Sequence, residues 1–277
     1  TCNPGYNSSD NSKRSPLYRF YGLNEALSDW TSANRANAGG KFIIDILNGT
    51  LNNTDINSTG IVDPRRARMF AAVVAGGPGA GTWVGNELGL FPVDPISRMS
   101  TFYIGRIGSD ENGMIRDAYV MQLAESKFLQ AEAMQRGYIS GNAQTAFNEG
   151  ILASMAFNSK LWGTNTTTQI PALNPTAYIT AIDSRNGLGW TGSSDKINAI
   201  ITQKYLALAQ WHGIELYIDQ QRTGYPKTPL PVGVIQTNAP NRLIYPTSEY
   251  SSNSANVPNV SGAEIFTVNA KTPYYLQ

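Results

Sequence analysis

The stretch ITQKYLALAQWHGIELYIDQQRTGYP, residues 201–226, gathers residue types that often do chemistry: His212, the chain's single histidine, then Glu215 and Asp219. On one continuous helix these three share a face with Lys204 and Arg222. A zinc protease needs a second histidine in H-E-x-x-H spacing, and there is none. A Ser-His-Asp hydrolase of the nucleophile-elbow kind needs G-x-S-x-G, which does not occur. Two carboxylates one turn apart on a helix stand too close for the usual acid/base pair of a glycosidase. What remains is a buried network of ion pairs, in which Arg222 or an incoming cation satisfies the carboxylates. This reading predicts that Glu215 and Asp219 are both buried and paired, and that His212 holds no metal.

The glycine-rich segment AGGPGAGTW (75–83) imitates a phosphate loop. Its spacing places Thr82 where a Walker loop needs lysine, and no helical pattern follows to present an N-terminus to phosphate. It reads as a surface loop. No cofactor is expected. A net charge of +1 over 277 residues, without clusters of Lys and Arg among the aromatics, argues against nucleic acid. A single cysteine excludes an internal disulfide and a multi-cysteine metal centre. Apolar runs are too short to span a bilayer as a helix.

Three segments carry helical periodicity: 116–136, 142–160 and 194–222, with shorter helices expected at 23–37 and 41–47. In the first, Tyr119, Val120, Leu123, Ala124, Ala131 and Met134 form an apolar stripe, with Glu125 and Glu132 opposite. In the second, Phe147, Gly150, Ile151 and Met155 share a face that should pack antiparallel on that stripe. Five residues, GYISG, join the two into a hairpin of tetratricopeptide size. The third helix opens on an SSDK cap and closes at TGYP. Long irregular stretches at 1–20, 48–64, 75–113, 161–193 and 223–277 lie between and after these. The class is therefore mainly α, with long draped loops and minor β-hairpins.

Several pieces together resemble the SusD/RagB-like nutrient-binding lipoproteins of Bacteroidetes. QKY (203–205), Glu215 and QRTGYP (221–226) match the family's late helix, in its TGYP-containing subgroup. DPRRARMF (63–70) resembles its Asp-Pro-Arg element. The segment 121–154 resembles its AE…AEA…G…N.GI..S hairpin, and RLIYPTSEYSSNSANV (242–257) its C-terminal stretch. The resemblance implies a SusD-like helical fold, with residues 1–277 as the C-terminal portion and an N-terminal helical half outside this chain. It also implies a cell-surface, outer-membrane location through a lipid anchor outside this chain.

The activity it implies is non-catalytic: capture of an oligosaccharide and delivery to a SusC-like TonB-dependent transporter. Alternatives are a peptide ligand in the same family, or a helical glycoside hydrolase. Sugars are held by exposed rings and polar side chains, which belong in loops rather than in helix stripes. The loops offer Tyr6, Tyr18, Tyr21, Trp30, Trp83, Trp162 and Trp190. In the family, part of the binding surface precedes the Asp-Pro-Arg element. That favours Tyr18, Tyr21, Trp30 and Trp83, with Arg19 and Asn24 as polar partners and no metal.

Overall fold

The computed structural model describes residues 1–73, 81–105, 111–162 and 172–273. Among them the regular elements are helices: α1 (Pro16–Tyr21), α2 (Ser32–Ala36), α3 (Lys41–Asn48), α4 (Arg66–Met69), α5 (Thr101–Ile104), α6 (Glu111–Met114), α7 (Leu123–Gln135), α8 (Ala143–Phe157), α9 (Pro175–Ile182), α10 (Lys196–Leu208), α11 (Gly213–Thr223) and α12 (Thr247–Ser252). In place of the expected β-hairpins, the described residues hold isolated bridges such as Phe70 with Met99 and Gly40 with Asn86. Most of segment 75–83 lies outside the described residues.

The predicted hairpin forms from α7 and α8. Asn142 caps α8 by accepting from Thr145 N at 2.9 Å. Phe147 packs on Phe128 at 6.2 Å between ring centres, Lys127 pairs with Glu149 at 2.8 Å, and Gly141 lies against Met134. Contacts that step forward on one helix and backward on the other fix an antiparallel pair. A Cβ at Gly150 would stand 2.6 Å from the Phe128 ring, so the absence of a side chain there lets the helices close. Phe147, Ile151 and Met155 are buried as expected.

The α7 stripe differs from expectation. The helix starts at Leu123, not at 116, because the chain before it is extended and exchanges two backbone bonds between Cys2 and Ala118. Its buried face is Ala124, Glu125, Phe128, Ala131 and Glu132, while Leu123 is 65% exposed and Val120 79%. Apolar periodicity misplaces this face because two glutamates point inward. Tyr119 instead joins an aromatic cluster with Phe157, at 4.7 Å, and Trp211, at 5.3 Å. Of the helix expected at 23–37, only α2 forms, and α9 arises within a stretch expected to be irregular, capped by Asn174 with Pro175 in its first turn.

The predicted helix 194–222 is two helices. Asp195 caps α10 as expected. The chain then turns, with Trp211 N and His212 N both donating to Leu208 O, and His212 becomes the N-cap of α11. This turn, just before Gly213, delivers the Trp211 ring to the aromatic cluster and gives α11 a helical phase independent of α10.

Two buried polar knots tie the elements together. Arg65 and Asp63 are fully buried and paired at 2.7 Å; Arg65 also donates to Ser154 Oγ on α8 at 3.0 Å and to Gln203 Oε1 on α10 at 2.9 Å. Burial opposes the charge on Arg65, but Asp63 outweighs it and holds the guanidinium above its ordinary pKa. In the second knot, Asp219 is 4% exposed and binds Lys204 of α10 at 2.7 Å and Arg222 at 2.9 Å. Arg222 reaches across to Glu132 of α7, which Arg136 also binds at 2.7 Å. Burial alone would raise the Glu132 carboxyl, but hydrogen bonds from Arg222 and Arg136 hold it below its usual value. Glu215, expected in this network, is exposed. The helix break turns it outward, and Glu132 takes the place assigned to it. Among the described residues, no cluster of His, Cys, Asp and Glu could hold a metal ion.

Candidate functional site

A trench runs over the start of α3. The chain reaches α3 through Gly39 and Gly40, beside residues 84–86. Asn86 N donates to Gly39 O at 2.8 Å, and Lys41 N to Asn86 O at 2.7 Å. A Cβ at Gly85 would sit 2.4 Å from Lys41 Cα, so only glycine permits this approach. Two adjoining cavities of about 460 and 340 Å³ share Asn37, Ala38, Gly40, Ile43 and Tyr205. A third, of about 320 Å³, continues the trench past Phe42 toward Lys227.

The lining suits a neutral, hydroxyl-rich ligand. Tyr21, Phe42 and Tyr205 supply apolar rings, the last two packed together at 6.0 Å between centres. Asn37, Asn86 and Gln210 supply amides. Gln210 spends its Nε2 on Met69 O at 2.8 Å, and its Oε1 is buried without a hydrogen-bond partner. Lys41 is engaged by Asp45, whose hydrogen bond raises the lysine pKa. Burial pushes the Tyr205 phenol well above its ordinary value, so the hydroxyl stays protonated at neutral pH.

Of the residues chosen from sequence, the structure brings Tyr21 to this trench. Tyr18 is 0% exposed, turned from α1 onto Leu23 and Met114, and its ring is closed to any ligand in this conformation. Its short helix, absent from the sequence expectation, turns this one side chain inward. Trp83 is half-buried; Arg66 covers its ring at 3.9 Å, and its indole N–H is spent on Phe70 O at 2.8 Å. Trp30 packs on the core, Asn24 shapes a turn by accepting from Ser28 N at 3.0 Å, and Arg19 is exposed on α1. Sequence reasoning missed Asn37, Phe42, Asn86, Tyr205 and Gln210. They come from loop ends and helix surfaces that meet only in the fold, so periodicity does not mark them.

The family model described as starch-binding and associating with the outer membrane matches residues 10–246. Among solved structures, a SusD homolog from Bacteroides fragilis aligns with a TM-score of 0.60 and 20% identity, over 90% of this chain and 54% of that one. A SusD homolog from Bacteroides thetaiotaomicron gives 0.55 and 21%, over 89% and 51%. A chitin-binding protein gives 0.54 and 20%, also over 89% and 51%. At such identities the likeness is one of fold, and the chain spans about half the length of these structures. No curated protein sequence matches the chain. With its Asp-Pro-Arg element, its hairpin and its late helix joined through the two buried knots, the chain belongs to the SusD-like family, whose members associate with the outer membrane.

Proposed function

We propose that this chain is part of a non-catalytic surface protein that captures an oligosaccharide and passes it to a SusC-like TonB-dependent transporter. The observation that carries the reading is the trench. Its rings at Tyr21 and Phe42 offer stacking faces for sugar C–H groups, and its amides offer donors and acceptors for hydroxyls. Of the acidic residues lining the trench, Asp45 is committed to Lys41, which leaves Glu87 without the second carboxylate that glycoside hydrolysis requires. The family's starch description and the chitin-binding relative point to a glucose- or N-acetylglucosamine-based chain as the first ligands to test.

Calorimetry with maltohexaose and chitohexaose, beside a reducing-sugar assay, tests the capture step. Binding without release of reducing ends is expected. Turnover of either sugar would overturn the non-catalytic reading, and absence of binding to a broad glycan panel would overturn capture. Co-purification of the full-length protein with its genomically adjacent transporter tests delivery.

A further inference from the structure

Three glycines meet where the trench crosses the start of α3, and packing accounts for two of them. A Cβ at Gly39 would stand 2.9 Å from the Phe70 ring, and one at Gly85 would strike the α3 backbone. Gly40 differs. It sits at φ −63° and ψ 142°, backbone that any residue adopts, and a Cβ there would meet nothing within 4 Å. Glycine loses more conformational freedom on folding than any other residue, and no contact of the fold calls for it at this position. The open space beside Gly40 is the trench itself, since Gly40 lines both the 460 and the 340 Å³ cavities.

Tyr205 of α10 lines the same two cavities. Residues shared by two adjoining cavities mark the waist between them, with Glu87 and Leu90 on one side and Tyr21 and Gln210 on the other. The Tyr205 ring is half-buried against Phe42. Its hydroxyl makes no hydrogen bond among the described residues and is not sealed from solvent. Burial alone shifts this phenol, and it shifts it upward, so the group stands ready as a donor at neutral pH. A donor held at the waist without a partner suits an acceptor that arrives from outside. Each cavity alone is of a size that takes a small ligand.

We infer, resting on the capture of an oligosaccharide by the trench, that one linear glycan chain occupies both cavities and crosses between Gly40 and Tyr205. The bare backbone at Gly40 leaves room for the crossing residue, and the Tyr205 hydroxyl donates to one of its oxygens. These two residues are therefore specificity-determining: they select a chain long enough to fill both cavities over a single sugar, which fills one.

Calorimetry of maltohexaose and of chitohexaose on four variants, each also melted without sugar, tests this. Gly40→Leu should bind at least about tenfold more weakly than the parent, and Gly40→Ala should fall between them, both with cooperative melts. Tyr205→Phe should lose about fivefold, the worth of one hydrogen bond, at an unchanged melting temperature. Gly213→Leu fills space that is equally open on α11 but lines none of the trench cavities, and it should bind like the parent.

Full affinity in Gly40→Leu or in Tyr205→Phe overturns the inference and leaves capture standing. So does an unfolded Gly40→Leu, which would show that the space beside residue 40 is not open. A lower melting temperature in Tyr205→Phe would give the hydroxyl a partner within the chain, and an equal loss in Gly213→Leu would place the effect outside the waist; either overturns it. A parent that binds neither hexasaccharide also overturns it, whereas the capture reading falls only when a broad glycan panel fails as well.

Discussion

Arg65 has no contact with solvent, and its bonds go to segments far apart in sequence: Asp63 beside it, Ser154 on α8 and Gln203 on α10. Replacing it with methionine leaves the Asp63 carboxylate buried and unpaired, which should cost about 3–5 kcal/mol in urea denaturation. Arg65→Lys should recover only a minor part, because an ammonium cannot span three acceptors in a fork. Recovery close to the parent would show that charge alone matters. The sequence marked these positions only as parts of segments with a family resemblance, DPRRARMF, 121–154 and QKY, and gave Asp63, Arg65 and Ser154 no role of their own. Tyr18, expected as an exposed loop ring, is buried, since exposure of a ring depends on distant chain. Met114 helps bury Tyr18, and Arg66 covers Trp83. Tyr18→Ala should therefore act on folding, at about 3–5 kcal/mol, a cost comparable to that of removing a buried aromatic ring.

At the scale of elements, the hairpin was legible because its spacing, cap and connection are local. The inner face of α7 was not, because burial of Glu132 depends on Arg222, a cation far along the chain on α11. The Glu132 pair gives this a measurable sign. Its folded pKa is depressed, so its contribution to stability is present above the ordinary carboxylate pKa and is lost as pH falls through the folded value. Parent and Glu132→Gln should therefore differ most in melting temperature near neutrality, and the gap should narrow below about pH 4.5. A gap that widens on acidification would contradict the assignment. Phe128 makes the complementary apolar test. It is fully buried against Phe147 and the open space of Gly150, and Phe128→Ala should cost about 3–5 kcal/mol.

For the whole molecule, the two knots bind α7, α8, α10 and α11 to the loop that carries Asp63, and the trench is built where that frame meets residues 21–42 and 84–92. This division explains what the sequence could disclose. Recognisable segments report the frame, where polar residues are fixed by many partners. The trench is assembled from a tyrosine at the end of α1, a ring on α3, Tyr205 of α10 and Gln210 just beyond that helix, none of which forms a pattern by itself. The central claim is that ligand recognition belongs to the trench and stability to the knots. Calorimetry of one oligosaccharide on three proteins tests it most directly: the parent, the double variant Tyr21→Ala with Gln210→Ala, and Glu132→Gln. The trench variant should bind at least about tenfold more weakly, roughly 1.4 kcal/mol, while keeping a cooperative melt, and Glu132→Gln should melt lower with unchanged affinity. Full affinity in the trench variant, or lost affinity in folded Glu132→Gln, would contradict it.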